Sequence, residues 1–311
     1  MAVRWKVEGD GMRDGSAFVT GGSSGIGLAA AKQLARDHAR VAIFARDGAR
    51  LERAVAEIRA VAPGCDVRGF ALDVADEAAV RVVVARAVAA MGAPRRVVLS
   101  AGILRYGETC ALDSAAHRQV MDVNYFGCLW MVRALVPHLV RGAAIGLVGS
   151  ASGIVGIYGY AAYAPTKFAL RGLAEILRVE LEGRGIGVTL SMPPDTETPM
   201  LEAEERMRSP VSRKMAAGAS RMAAEDVARR LLRAMDRGRF LSLPNVQVWG
   251  LWWLAPSLQR VLMWQERWLL RRYGSAQVFA DDVDEHGDDG PEQEGHRRDQ
   301  RQGQGDAGVD G

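Results

Sequence analysis

Short apolar runs alternate with longer helix-favouring stretches along most of the chain. The runs are 17–20 (Ala-Phe-Val-Thr), 40–45 (Arg-Val-Ala-Ile-Phe-Ala), 67–72, 96–100, 144–148 and 186–192. Most stop at glycine, aspartate or proline, and uninterrupted apolar runs of this length read as strands buried on both faces. Between them lie an alanine-rich stretch after Gly27, an alanine- and valine-rich stretch from Glu77 to Met91, a long segment over 114–141, and a segment from Tyr163 to about Glu182. These favour helix. The alternation predicts a parallel sheet with helices on both faces, an α/β doubly wound fold. Ligands of such a sheet bind beyond the carboxyl ends of its strands.

The pattern changes near residue 245. Residues 249–273 hold Trp249, Trp252, Trp253, Trp264 and Trp268, interleaved with Arg260, Arg267, Arg271 and Arg272. Pro256-Ser257 is expected to separate a short apolar run from a helix. Tryptophan and arginine on a helix too short to span a bilayer suit a membrane surface; packing on the body or on a partner subunit is the alternative. From Ser275 to Gly311 there are eight Asp, three Glu and three Arg, a net charge of −8, so the remainder of a chain with net charge +3 carries +11. The tail cannot bury enough apolar area to order itself. The basic body suits anionic lipid or phosphorylated ligands, or is simply a well-solvated arginine-rich surface. No nucleic-acid recognition motif accompanies it, so no nucleic-acid partner is expected.

With 311 residues, 49% hydrophobic and 25% charged, the chain can bury one large core. Three cysteines without ligand spacing read as reduced thiols of a cytoplasmic protein. Five scattered histidines imply no metal site. No secretory signal and no apolar run of about 20 residues is visible.

Candidate chemistry sits at the strand ends. Thr20-Gly21-Gly22-Ser23-Ser24-Gly25-Ile26-Gly27 lies between a strand and a helix, the context of a dinucleotide-binding turn. Glycines admit a pyrophosphate, the helix N-terminus supplies N–H donors, and Ser23 and Ser24 add hydroxyls. The same letters spell the Gly-x-Ser-x-Gly elbow of a hydrolase, but no downstream histidine is suitably placed. At the end of the second strand, Arg46 and Arg50 stand where an NAD site usually has an acidic residue, and two guanidinium groups suit the 2′-phosphate of NADP. Asp47 is expected to cap the next helix. Asp73-Val74 could receive the adenine amino group, or Asp73 could serve as a cap. Ala101-Gly102 lets backbone lie against a flat ring. Asn124, in an apolar helical stretch, is either a backbone-anchored polar relay or a satisfied core amide.

Tyr163-Ala-Pro-Thr-Lys167 places a phenol and an ammonium one helical turn apart. The ammonium is expected to lower the phenol's pKa, so that the pair can exchange a proton with a carbonyl oxygen. Pro165 suits the helix's first turn.

Together these residues resemble the short-chain dehydrogenase/reductase family, over about residues 15–243. Thr20-Gly21-x-x-x-Gly25-Ile26-Gly27, Asp73, Ala101-Gly102, Asn124, Ser150, Tyr163 and Lys167 carry the resemblance, with Ser150 thirteen residues before Tyr163. Tyr158, Tyr160 and Ser152 are set aside, the tyrosines because no lysine follows at four residues. Ser100 departs from the family's usual asparagine. The resemblance implies a Rossmann-type domain over 15–244, after an N-terminal arm (1–14) and before a helical extension (245–274) and an acidic disordered tail (275–311). It implies Tyr163 as general acid, Ser150 as hydrogen-bond donor to the substrate oxygen, Lys167 on the nicotinamide ribose, and Asn124 holding a relay water. Pro193, Thr196 and Thr198 would face the carboxamide or pyrophosphate.

Phe168–Glu175 and Pro193-Pro194-Asp195-Thr196-Glu197-Thr198-Pro199 are similar to the 3-ketodihydrosphingosine reductases within that family. This implies NADPH-dependent reduction of a long-chain amino ketone, 3-oxosphinganine to sphinganine, by a homodimer or homotetramer. Eukaryotic members have an N-terminal membrane segment, and these residues show none. A reductase for a steroid or 3-oxoacyl compound, or a non-catalytic NADP-sensing regulator, are the alternatives. Leu201–Arg213 is read as a mobile substrate lid or an ordinary exposed helix and loop.

Overall fold

The computed structural model describes residues 15–273; the expected arm and acidic tail lie outside the described residues. In chain order the elements are β1 (Ser16–Thr20), α1 (Gly25–Asp37), β2 (Arg40–Ala45), α2 (Gly48–Val61), β3 (Asp66–Ala71), α3 (Glu77–Met91), β4 (Pro94–Leu99) and α4 (Ser114–Met121). Then follow α5 (Gly127–Leu135), β5 (Ala144–Val148), α6 (Ala164–Glu180), β6 (Gly187–Ser191), β7 (Asp195–Glu197), α7 (Pro199–Met207), α8 (Pro210–Ala216), β8 (Arg221–Ala223), α9 (Ala224–Asp236), β9 (Leu241–Ser242) and α10 (Val246–Tyr273).

Seven strands form one parallel sheet in the order β3-β2-β1-β4-β5-β6-β9. The chain winds outward from β1 to β3, then returns to add β4 on β1's other side. That reversal opens a crevice at the carboxyl ends of β1 and β4. Alternate residues feed two cores, as the two-residue period of a strand requires. Phe18, Phe44, Val97 and Leu147 enter one with α3, α5 and α6, whereas Val19, Ile43 and Val98 enter the other with α1, α2 and α9. Phe18, Phe44 and Phe70 line up across three strands with ring centroids 5.5 and 5.4 Å apart, a cross-strand aromatic ladder that favours this register.

All six expected strands are present. The sequence reading missed β9, two residues long, and the small parallel sheet of β7 and β8. It also read 114–141 as one unbroken helix. The structure has α4, a π-helical turn over Asp122–Phe126 that contains Asn124, then α5 and a short 3-10 turn ending at His138. Pro256 does not divide the C-terminal extension: α10 is a single helix of 28 residues. Its inner face is held by Val248 and Ala255 in the core and by Trp252, over whose ring the Arg171 guanidinium lies at 4.2 Å. That anchorage offsets the backbone hydrogen bond a proline removes.

Candidate active site

The glycine turn is built by close approach. Gly21 has φ of 64°, and a Cβ there would lie 2.9 Å from the Ala101 backbone; one on Gly27 would lie 2.3 Å from the Gly21 carbonyl oxygen. Only glycine lets the three segments meet this tightly. Thr20 ties the same point together: its Oγ1 accepts from the backbone N–H groups of Ser100 (3.1 Å) and Ala101 (3.2 Å). Ser24 sits at the N-terminus of α1 without a side-chain capping bond. The first N–H groups of that helix are therefore open towards the crevice, and Gly21, Ser24, Gly25 and Ile26 line its wall. An uncapped helix start beside a turn that excludes side chains fits a pyrophosphate.

The same cavity is lined by Gly102, Ser150, Tyr163, Lys167, Pro193, Thr196 and Thr198. Tyr163 is the N-cap of α6, with Pro165 in its first turn. Asn124 accepts from the Ile103 N–H (2.8 Å) and donates to the Ile103 carbonyl (3.0 Å) and to Thr166 Oγ1 (3.1 Å). Thr166 donates to the Tyr163 carbonyl at 2.7 Å. The amide is thus both satisfied and a brace between the end of β4 and the start of α6. A Cβ on Gly102 would lie 3.3 Å from Asn124 Oδ1 and 3.8 Å from Lys167 Nζ, so these groups meet at one point.

Lys167 is buried and donates to the Val148 carbonyl at 3.0 Å, with Nζ 5.4 Å from the centre of the Tyr163 ring. Burial lowers its pKa to about 8. The expected depression of the Tyr163 phenol by this ammonium is not what the structure gives. Burial raises the phenol's pKa, a hydrogen bond with Ser150 acts the other way, and Glu204 and Asp195 raise it further. The desolvation of a fully enclosed phenol outweighs its neighbours. Tyr163 stays protonated near neutrality, as a free phenol would, and can serve as a proton donor.

Other expected residues lie outside this lining. Val74, Ala101 and Asn124 line a small adjoining cavity behind it. Arg46 and Asp73 stand at the exposed ends of β2 and β3, with Arg46 Nη1 3.8 Å from Asp73 Oδ2. Asp73 accepts from the Ala75 N–H at 3.0 Å, and it is Asp76 that caps α3. Asp47 caps α2 as expected, accepting from Arg50 N–H at 3.0 Å. Thr198 caps α7, and its side chain packs against Gly25.

Sequence reasoning missed several wall residues. Tyr160, set aside for want of a lysine, lines the cavity with Asp195, Met200, Leu201 and Glu204. Residues 201–213 form most of α7 and α8 and turn Leu201, Glu204, Arg208, Val211 and Ser212 inward. The Glu204-x-x-x-Arg208 spacing was the available signal, since residues four apart share a helix face.

The short chain dehydrogenase family model matches residues 16–209. A 3-dehydrosphinganine reductase of Arabidopsis thaliana is 39% identical over 229 residues, covering 72% of this chain and 69% of that protein. The 3-dehydrosphinganine reductase of Danio rerio is 35% identical over 230 residues, with the same two coverages of 72% and 69%. Among solved structures, a short chain dehydrogenase/reductase from Burkholderia phymatum in complex with NAD is similar in fold. Its TM-score is 0.72 at 24% identity, covering 81% of this chain and 96% of that one.

Proposed function

The chain belongs to the short-chain dehydrogenase/reductase family, and from that membership we propose that it reduces the ketone of a long-chain amino alcohol, 3-oxosphinganine to sphinganine, with NADPH. The observation that carries this reading is the convergence of Tyr163, Ser150 and Lys167 on a cavity continuous with the glycine turn. Its likeness to the two 3-dehydrosphinganine reductases supports the substrate.

The chemistry that a bound reduced nicotinamide supplies is hydride. Tyr163 donates a proton to the substrate oxygen as negative charge develops there, a role worth about 10²–10⁴ in rate. Ser150, beside the phenol, donates a hydrogen bond to the same oxygen. Lys167 presents its positive charge beneath the ring and holds the cofactor ribose. Asn124 fixes the backbone of Ile103 and orders a water on the path to Lys167. Gly21, Ser23, Ser24, Gly25, Ile26 and Gly27 would hold the pyrophosphate, and Pro193, Thr196 and Thr198 would face it or the carboxamide. Ala101 and Gly102 would offer backbone to a flat ring of the cofactor, and Asp73 with Val74 would meet the adenine amino group. Arg46, just after β2, and Arg50, in the first turn of α2, are both exposed and would receive the 2′-phosphate, which favours NADPH over NADH.

The lipid-like substrate gives α10 a role at a membrane surface. Trp253, Trp264 and Trp268 stay largely exposed, in the same third of the helix circumference as Arg260, Arg267 and Arg271. Among the described residues no helix is long and apolar enough to cross a membrane. Tryptophan at the headgroup level with arginine facing anionic lipid is the chemistry of interfacial docking.

The direct test of the substrate is NADPH consumption against a panel of 3-oxosphinganine, steroid ketones and 3-oxoacyl thioesters, with NADH run in parallel. Preference for 3-oxosphinganine with NADPH is expected. Preference for another ketone would replace the substrate, and no turnover at all would favour a nucleotide-sensing regulator.

A further inference from the structure

The cavity wall beside Tyr163 carries charges that proton and hydride transfer do not require. Arg208, at the end of α7 and 4% exposed, is gripped from three sides. Its Nε donates to Glu204 Oε1 at 2.7 Å, and one Nη donates to Asp195 Oδ2 at 2.8 Å and to the Tyr160 hydroxyl at 3.0 Å. Tyr160 in turn donates its proton to Glu204 Oε1. Glu204 is 6% exposed, yet it lines the cavity together with Asp195, Tyr160 and Tyr163.

Two carboxylates therefore share one guanidinium. Ionised, the set carries a net charge of about −1 inside a largely desolvated wall, and buried charge is costly unless balanced. Glu204 Oε2 makes no hydrogen bond with another described residue, and neither does Asp195 Oδ1. What this wall lacks is a cation that can donate hydrogen bonds. Its distance from the reaction centre is short. The Tyr160 and Tyr163 ring centroids are 6.3 Å apart, and the Tyr160 hydroxyl is on Glu204. A nitrogen on the carbon next to a ketone lies about 2.5 Å from the carbonyl carbon, and a charge-assisted bond to a carboxylate adds about 2.8 Å. Glu204 and Tyr163 line one cavity, so a nitrogen on the carbon next to the ketone is presented to the same wall.

We propose that Glu204, braced by Arg208 and Tyr160 and assisted by Asp195, receives the ammonium group of the substrate, so that the site selects ketones bearing an amine on the adjacent carbon. The inference rests on the reductase reading and assigns the part of the wall that tells an amino ketone from a plain one. Glu204 Oε2 and Asp195 Oδ1 stay open to the cavity rather than buried. A neutral or anionic ketone seated there would strip them of water without replacing it, and a site built for a hydrogen-bonding group rejects the analogue that lacks it.

The test compares 3-oxosphinganine with the same long-chain hydroxyketone lacking the amine, in the wild-type protein and in Glu204→Gln. The wild type is expected to favour the amino ketone by roughly 10- to 100-fold in kcat/KM, the span of one charged hydrogen bond. Glu204→Gln is expected to collapse that ratio towards one, the loss falling on KM. Asp195→Asn, at a position one-quarter exposed (25%), is expected to lower the ratio by a smaller factor and serves if Glu204→Gln does not fold. A wild type that turns over both ketones equally would overturn the inference while leaving the reductase reading intact. So would variants that slow both ketones in proportion and keep the ratio, since that is the signature of a purely structural network. Turnover of neither ketone would count against the reductase reading itself, and the assignment of Glu204 would fall with it.

Discussion

Burial shifts both Tyr163 and Lys167. Enclosure pushes the Tyr163 phenol further above its ordinary value and pulls Lys167 down to about 8. For Lys167 the folded value lies below the ordinary 10.5, so the buried ammonium is a stability cost, fully present below pH 8. That cost is relieved as pH rises from about 8 to about 10.5, where the unfolded chain still binds the proton and the folded one does not. Lys167→Met is therefore expected to raise the melting temperature of the ligand-free protein near neutrality, by an amount that shrinks as pH approaches 10.5. A gain independent of pH, followed by thermal denaturation across that range, would contradict it. Tyr163, Lys167 and the glycine turn were legible in the sequence because each depends on spacing within one turn of chain. Tyr160, Asp195, Glu204 and Arg208 were not. They meet across as many as 48 residues, and only Glu204 and Arg208 share a helix face.

At the level of elements, the central strands were legible because burial on both faces leaves a nearly unbroken apolar run, although β3, at the sheet edge, carries exposed Arg68 and Gly69. The short strands β7, β8 and β9 were not, because two or three residues show no periodicity and depend on a neighbouring strand. The π-helical turn around Asn124 escaped for a related reason. One extra residue in a turn leaves composition unchanged, and such turns recur at functional sites. Of the helix starts, the cap at Asp47 was legible, whereas Asp76 rather than Asp73 caps α3, and the caps at Asp113 and Thr198 were not anticipated. Asp76→Ala removes the bond to the Ala79 N–H at 2.9 Å. It should cost about 1 kcal/mol and lower the melting temperature by about 2–4 °C. An unchanged melting temperature would mean that solvent caps α3 equally well.

On the scale of the whole molecule, the sheet gathers its candidate site at the carboxyl ends of its central strands and α10 carries a second kind of surface. The Trp/Arg composition of that segment was plain in the sequence. Its continuity through Pro256 was not, because the anchors that hold it, Arg171 and the core around Val248, lie elsewhere in the chain. Trp253 and Trp264 are 60% and 67% exposed, so replacing both with serine should leave folding intact. Co-sedimentation with anionic vesicles should then fall several-fold, and equal sedimentation of the two proteins would remove α10 from the membrane. Reduction of a ketone through Tyr163 is the claim on which substrate, wall and membrane all depend. The measurement that bears on it is NADPH binding alongside 3-oxosphinganine turnover in Tyr163→Phe. Binding should persist while turnover falls by about 10²-fold or more; a variant that still reduces the ketone at a substantial rate would contradict it.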